Sequence, residues 1–507
     1  MENLGFSTQF KTISKFERAL QTKLGDFWML RGEHQALKLF HQMSLRVPAY
    51  KDFLKKNKVN PQNVHTIKDF LRLPTIDKNN YLRAYPLDML CWDGKLAEGQ
   101  YVISTTSGST GEPFYFPRTK EQDLQYAAVA ELYLRTNFTI HKKTTLYIDA
   151  FPMGAWIGGV FTYDAIRIIA DRGYPLSIIT PGVHKQEVIK AVKKMSPYFD
   201  QTIIGSYAPF MKDILDDGER EGVDWEKYNL KFIFSAEGFT EAFRDYITRK
   251  AGLKNPCLDT LNHYGTVDLG TMSYETPVAI LSRRLALKDK DLYRTLFGET
   301  TKLPTFTQYF PELFYFESID GNLLCSGFSG LPLVRYDLKD RGGIVTFNQL
   351  QQIFKSQDLD ILKESQHAGI KSTVWNLPFV HVYERRDFSV SLYAFLVYPE
   401  TIRRALQKRW LEKYVTGKFT MVVVYNKKQD QELQVHVEMK YGVRASKLLE
   451  EKIESALVQQ LLKENSEYHE THREKGSRIR PNVVLWKYED PTYFRPGIKQ
   501  KWVQKSS

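Results

Sequence analysis

An α/β protein, with a large N-terminal domain of parallel βαβ units and a small α+β C-terminal domain, is what the sequence predicts. Three observations carry this. Strand-like and helix-like segments alternate from residue 145 onward; the 507-residue chain is longer than one core usually holds; and after residue 380 a separate short pattern of helix, two strands and a long helix begins. The domains are accordingly expected at 1–380 and 381–507.

Residues 1–100 read as a mainly helical lead-in, with apolar positions recurring at three and four residues in FERALQTKLGDFWML and QALKLFHQMSL. Extended, proline-punctuated segments follow, RVPAYKDFL and FLRLPTIDKNNYL. From residue 145 the order is TLYIDAF (strand), KQEVIKAVKKM (helix), QTIIGSY (strand), APFMKDILDDGEREG (helix), KFIFSA (strand) and FTEAFRDYITRKAG (helix). Such alternation implies right-handed crossovers and ligands at the C-terminal ends of the strands. The loops GSY, SAEG and HYG fall there. Residues of about 345–375 are polar and weakly helical, which suggests a linker or small insertion. In the last unit PETIRRALQKRW reads as a helix, KFTMVVVYN and ELQVHVEMKYG as strands, and Leu449, Ile453, Leu457 and Leu461 form one face of a long helix, a core stripe.

Composition excludes several classes. With 42% hydrophobic and 26% charged residues the chain is an ordinary globular one rather than disordered. Its three cysteines are far apart, with no CxxC pair or zinc-finger spacing, so a reducing cytoplasm and no structural metal are expected. The N-terminus lacks a signal-peptide core and no apolar run reaches a membrane-spanning length, so a soluble protein with no membrane partner is expected. The net charge is +12, and residues 381–507 hold 24 Lys and Arg against 16 Asp and Glu, so most of the excess lies in the last quarter. Recognition motifs for nucleic acid are absent and no such partner is expected; a basic lobe also suits ATP, CoA or an acidic carrier protein.

The stretch TTSGSTGEP, residues 105–113, packs five hydroxyls and two glycines after the strand-prone YVIS. It is too short for a flexible linker and runs straight into the aromatic FYFPRT. A plain turn and a loop that wraps a polyanion both fit, because glycine lets successive N–H groups converge and Ser and Thr add neutral donors. It is neither a Walker loop nor a dinucleotide GxGxxG loop.

Four further segments share its character: SAEG (Ser235 to Gly238), HYGTVD (His263 to Asp268), PLVRYDLKD (Pro332 to Asp340) and RPGIKQK (Arg495 to Lys501). In their order the chain resembles the adenylate-forming (ANL) superfamily, most closely its phenylacetate–CoA ligase-like branch. VPAYKDFL, LRLPTIDK, FPMGAWIGG and YERRDFSVSLYAFLVYPETI extend the resemblance nearly end to end. The resemblance implies a large adenylation domain, a small mobile C-terminal domain, and activation of a carboxylic acid by ATP to an acyl-adenylate with release of pyrophosphate. Acyl transfer most naturally goes to CoA, with an amine or a carrier-protein thiol as alternatives. ATP, Mg²⁺ and CoA are the implied cofactors.

Residue by residue, the resemblance implies that Thr105, Thr106, Ser107, Gly108, Ser109, Thr110 and Gly111 hold the ATP phosphates, Thr106 also serving catalysis. Ala236, Glu237 and Gly238 would face the adenine, with Tyr264, Gly265 and Thr266 beside it. Asp340 would take the ribose hydroxyls, Arg335 would support that segment or reach a phosphate, and Asp268 would bind Mg²⁺ where the family has Glu. Lys499, with Lys501 second, would bridge the α-phosphate and the substrate carboxylate; Asp387 would be the hinge. Phe151, Met153, Trp156 and Gly158 would line an acyl pocket.

Plainer roles stand beside these: a surface ion pair for Asp340 and Arg335, a structural carboxylate for Glu237, a core histidine for His263 and a solvated tail for the terminal lysines. The pattern also departs from the family. Glu112 stands where a lysine is common, with Arg118 or Lys120 as candidate compensating cations, and Glu384 replaces the glycine before the hinge arginine. A non-catalytic nucleotide- or partner-binding member of the fold is therefore a further reading.

Overall fold

The lead-in folds as helices α1 (Ile13–Thr22), α2 (Gly25–Arg46) and α3 (Pro48–Lys56), followed by the short α4 (Ile67–Phe70) and α5 (Leu87–Leu90). Local chemistry starts them: Thr12 accepts the Lys15 N–H, Pro48 occupies the first turn of α3, and Thr66 and Asp69 form a reciprocal capping box. This computed structural model describes residues 12–105, 113–298, 303–385, 389–411 and 413–494. The predicted loop residues Thr106 to Gly111, the hinge Asp387, and Lys499 and Lys501 lie outside the described residues.

The chain divides into two units, Met1–Ser104 with Tyr115–Glu384, and Thr105–Phe114 with Arg385–Ser507. The first holds β1 (Tyr101–Thr105) up to Ser104, paired with β2 (Tyr115–Thr119), and α6 (Lys120–Thr136), which begins at a Thr119/Gln122 capping box. Then come β3 (Thr145–Asp149), α7 (Ile157–Ala170), β4 (Leu176–Ile179), α8 (Lys185–Met195), β5 (Gln201–Ser206), α9 (Ala208–Arg220), β6 (Leu230–Phe234), α10 (Glu241–Lys250) and β7 (Thr260–Thr266). The strands pair in parallel as β4-β3-β5-β6-β7, the doubly wound arrangement that the alternation predicts.

The sheet does not end there. Antiparallel strands β8 (Gly270–Tyr274), β9 (Thr305–Gln308), β10 (Phe314–Ile319), β11 (Asn322–Gly327), β12 (Leu333–Val345) and β13 (Phe379–Arg385) extend it to eleven, in the order β10-β11-β12-β13-β9-β8-β7-β6-β5-β3-β4. The β10–β11 turn is Asp320-Gly321, both with positive φ (50° and 74°), the geometry that a tight hairpin demands and that Asp-Gly adopts readily.

Residues 345–375, expected as a linker or insertion, instead fold onto the first unit. Phe347, Leu350, Phe354, Ile361, Ile370 and Val374 are buried in one cluster with Val278, Leu292 and Phe306. The polar residues between them had masked a helical apolar spacing. No helix among the described residues is long and apolar enough to cross a membrane.

The second unit has a hairpin of β14 (Val390–Leu392) and β15 (Phe395–Val397), and a sheet of β16 (Val415–Tyr425), β17 (Gln431–Met439) and β18 (Asn482–Trp486). Helix Lys447–Glu464 buries the predicted Leu449, Ile453, Leu457 and Leu461.

A buried ionic network ties α10 to the sheet. Arg244 reaches Glu241 at 2.9 Å, Glu275 at 2.8 Å and Thr260 at 2.5 Å, while Arg283 reaches Glu275 at 2.5 Å and Glu241 at 3.1 Å. Both arginines and both carboxylates are buried. Removing one carboxylate would strand buried guanidinium charge, so Glu275→Ala is expected to lower unfolding free energy by about 3–5 kcal/mol in urea titrations. A loss below about 1 kcal/mol would mean that water replaces the carboxylate.

Candidate active site

At the end of β7 the chain turns sharply into β8. A Cβ on Gly265 would lie 2.4 Å from the Gly270 carbonyl oxygen, so this turn needs glycine. Tyr264 leaves the turn with its hydroxyl donating to Asp340 Oδ2 at 2.6 Å and its ring stacked on Phe316, centroids 6.3 Å apart. Tyr264 and Asp340, 76 residues apart, are thus joined at one point.

Asp268, two residues past β7, is nearly buried. The Tyr336 hydroxyl donates to its Oδ2, and Lys78 Nζ stands 3.7 Å from its Oδ1. Lys78 comes from LPTIDK of the lead-in, a segment to which the sequence analysis assigned no role. This segment is held against β12 by its backbone: Ile76 N–H donates to the Arg335 carbonyl at 3.2 Å and Asp337 N–H to the Ile76 carbonyl at 2.9 Å. Asp77 adds an ion pair to Lys339 at 2.6 Å, and Lys339 also reaches Asp337 at 3.0 Å. Burial would raise the Asp77 carboxyl, but Lys339 and the backbone donors of Asn80 and Asn79 outweigh it and hold it below the usual carboxylate range.

Arg335, expected to support the ribose segment or to reach a phosphate, is engaged inside the protein. Its guanidinium pairs with Glu317 (Nη2 to Oε2, 2.8 Å) and donates to the Leu73 carbonyl, and it is buried. It does not form a surface pair with Asp340, and its donors are engaged inside the protein. Its part is to fix β12 and the lead-in. Arg118, a candidate to offset Glu112, is likewise taken: it is buried and pairs with Asp123 at 2.5 Å and Asp164 at 2.9 Å. A guanidinium already between two carboxylates offers little net charge to a phosphate.

The SAEG loop after β6 is bent by Ala236, whose φ of 75° is rare for a residue with a Cβ. Asn262 of β7 holds the loop by donating to the Glu237 carbonyl at 2.9 Å, and Gly238 has no room for a side chain, its Cβ position being 2.5 Å from Thr305 Oγ1. Thr266 Oγ1 accepts the Leu269 N–H at 3.3 Å, so the HYGTVD turn is self-bracing. Thr105 ends β1 and is the described edge of the phosphate-loop stretch.

In FPMGAWIGG, Phe151 is buried and lies on Gly158, whose Cβ position is 3.5 Å from Phe151 Cβ, while Met153 and Trp156 are partly buried. His263 is buried between Tyr126 and Tyr133, and burial pushes its imidazole down to about 3. Among the described residues no group of three or more His, Cys, Asp and Glu is placed to hold a metal ion.

This fold, an eleven-stranded sheet followed by a small α+β unit, is similar to that of a solved acyl-CoA ligase. Structures of 2-hydroxyisobutyryl-CoA ligase superpose on it: the complex with 2-HIB-AMP and CoA in the thioesterification state has a TM-score of 0.64 at 14% identity, covering 96% of this chain and 92% of that one. The postadenylation complex with R3-HIB-AMP gives 0.53 at 13% identity over the same shares. In sequence the chain is similar to phenylacetate–coenzyme A ligases from Aromatoleum evansii, 24% identical over 220 residues, and Thermus thermophilus, 23% over 212. These matches span 43% and 41% of this chain and 46% and 44% of the relatives, less than half of their length. No protein-family model matches.

His263 generates a prediction of pH dependence. Unfolded, it takes a proton near its ordinary 6.5; folded, only near 3, so falling pH favours the unfolded chain across that window. Wild type is expected to lose stability relative to His263→Gln by up to about 1.4 kcal/mol per pH unit there, read from urea midpoints. Parallel profiles would show that the imidazole is protonated in the fold.

Proposed function

We propose that this chain is an ATP-dependent, AMP-forming acid–thiol ligase: it joins a carboxylic acid to the α-phosphate of ATP, releases pyrophosphate, and transfers the acyl group to CoA. The observation that carries the reading is the convergence of Tyr264, Asp340, Asp268 and Lys78 where β7, β12 and the lead-in meet.

Each residue has a job in that chemistry. An ionised Asp340 accepts hydrogen bonds only, which suits the two ribose hydroxyls, and the Tyr264 hydroxyl fixes its orientation. Asp268 offers a hard oxygen to Mg²⁺, which favours carboxylate and phosphate oxygens; one protein carboxylate is enough when the nucleotide supplies the rest. When bound, that ion would neutralise phosphate charge. Lys78, part-exposed beside Asp268, adds a positive charge for the phosphates. The hydroxyl-rich residues 105–111 would hold the β- and γ-phosphates, and the bent SAEG loop would border the adenine.

In the first step a substrate carboxylate oxygen attacks the α-phosphorus and the bond to pyrophosphate breaks. Lys499 would neutralise both anions as they approach. In the second, the CoA thiolate attacks the acyl carbon and AMP leaves. Asp387 would be the hinge between the two arrangements, and the protein would work in the cytoplasm. Because Glu112 is acidic and Arg118 is already paired, a nucleotide-binding member without turnover is the second reading.

ATP–pyrophosphate exchange with Mg²⁺ and a panel of aryl, fatty and amino acids separates the two. Acid-dependent exchange is expected, falling on the order of 100-fold or more in Lys499→Ala and in Asp340→Ala. ATP binding without exchange for any acid would favour the binding-protein reading. Exchange undiminished in Lys499→Ala would remove that lysine from the mechanism.

A further inference from the structure

Three buried polar atoms on one face of the central sheet have no hydrogen-bond partner among the described residues: Asp149 Oδ2, His263 Nε2 and Tyr274 Oη. The register puts them on a common face. Asp149 pairs with Gly205, Gly205 with Ile233 and Ile233 with Leu261; two residues further, His263 pairs with Tyr274 across the β7–β8 hairpin. Helix α6 covers this face with Tyr126 and Tyr133, their rings 6.1 and 5.4 Å from that of His263, and Tyr133 lies 5.1 Å from Tyr274.

Asp149 is the most exceptional of the three. It is the last residue of β3, at the strand ends where parallel sheets bind ligands. Its Oδ1 accepts the Phe151 N–H at 3.2 Å, its main-chain carbonyl accepts Gly182 N–H at 3.1 Å, and its side chain is fully buried. Among the described residues no cation pairs with it, and burial pushes the carboxyl up to about 8, which favours the neutral form that can donate. Aromatic rings border the spot: opposite Asp149, the Cβ position of Gly205 lies 2.5 Å from Tyr147 Oη and 2.8 Å from the Phe151 ring. An orphaned buried polar group costs about 1–3 kcal/mol, so its retention in a strand-end position needs a reason.

We propose that Asp149 is the specificity-determining residue of the acyl pocket, and that the acid activated here has an aromatic tail bearing an uncharged hydroxyl, which pairs with Asp149 Oδ2. The inference rests on the adenylation reading above. A plain hydrocarbon tail would leave Oδ2 unpaired. An ammonium tail would force a buried ion pair with a single carboxylate and no further charged partner, which is costly. A hydroxyl satisfies the carboxyl at no charge, and aromatic walls suit an aryl ring.

The test uses the full chain in ATP–pyrophosphate exchange with phenylacetate, its three ring-hydroxylated isomers and 4-(aminomethyl)phenylacetate, for wild type, Asp149→Asn and Asp149→Leu. Wild type is expected to prefer one hydroxylated isomer over phenylacetate by about tenfold or more in kcat/KM. Asp149→Asn, which keeps the volume and a donor, should hold most of that preference. Asp149→Leu should abolish it, the hydroxylated isomer losing about tenfold more in kcat/KM than phenylacetate does. An equal loss for every acid in Asp149→Leu, with Asp149→Asn unaffected in preference, would assign Asp149 to structure and overturn the inference; so would a wild-type preference for phenylacetate or for the amine. If no acid supports exchange, the adenylation reading fails by itself. Calorimetric binding of the same acids then decides: an Asp149-dependent preference for a hydroxylated acid keeps the inference, and equal or absent binding overturns it.

Discussion

The candidate site depends on the clamp between the lead-in segment 73–78 and β12. Arg335 is its centre: its side chain joins Glu317 to the Leu73 carbonyl, while its own carbonyl accepts the Ile76 N–H. With Lys339 bound to Asp77, this locks two distant pieces of chain into one register. The backbone is bent to do so, with Arg335 at φ 52° and Lys339 at φ 62°, conformations that persist only where surrounding contacts over-determine them. The consequence reaches the chemistry, because the same register sets Tyr336 on Asp268, Asp340 on Tyr264, and Lys78 beside both strands.

Charge is distributed around the site with economy. The buried arginines Arg118, Arg244, Arg283 and Arg335 are all paired to carboxylates, so the framework carries its cations in neutralised form. Lys78 differs, since its side chain is 39% exposed and its partner Asp268 is 3.7 Å away, a loose pair that an incoming phosphate or metal ion can rearrange. A framework of fixed pairs around a few adaptable charges is the preorganisation that the proposed adenylation would use. Arg118 belongs to the neutralised framework, held between Asp123 and Asp164.

Much of this was legible in the sequence, for physical reasons that differ by region. The β3–α10 alternation was readable because buried parallel strands and amphipathic helices have different periods, and the HYGTVD and RYDLKD segments because their small and acidic residues interrupt apolar strands. The antiparallel half was not, although Asp320-Gly321 was a usable hairpin signal. The helices of residues 345–375 were hidden by their polar composition, since burial there rests on few apolar positions. The two roles left open for Arg335 could not be separated because sequence cannot tell which carboxylate a guanidinium meets; Glu317, 18 residues away on an adjacent hairpin, is a tertiary partner. Lys78 and Asp77 could be found only once β12 was known to run beside them. Asp149, whose buried Oδ2 meets no partner among the described residues, has no sequence signature at all, because TLYID reads as an ordinary strand.

The most direct test of the central claim, that Asp340 held by Tyr264 anchors an adenylate, is calorimetric titration of a non-hydrolysable aryl-acyl sulfamoyl adenosine into wild type and Asp340→Ala. The account predicts saturable binding by wild type and a loss of about 1.5–3 kcal/mol in the variant, as expected when charge-assisted hydrogen bonds to the ribose disappear. Equal affinity in the two proteins, or no binding to wild type, would contradict it.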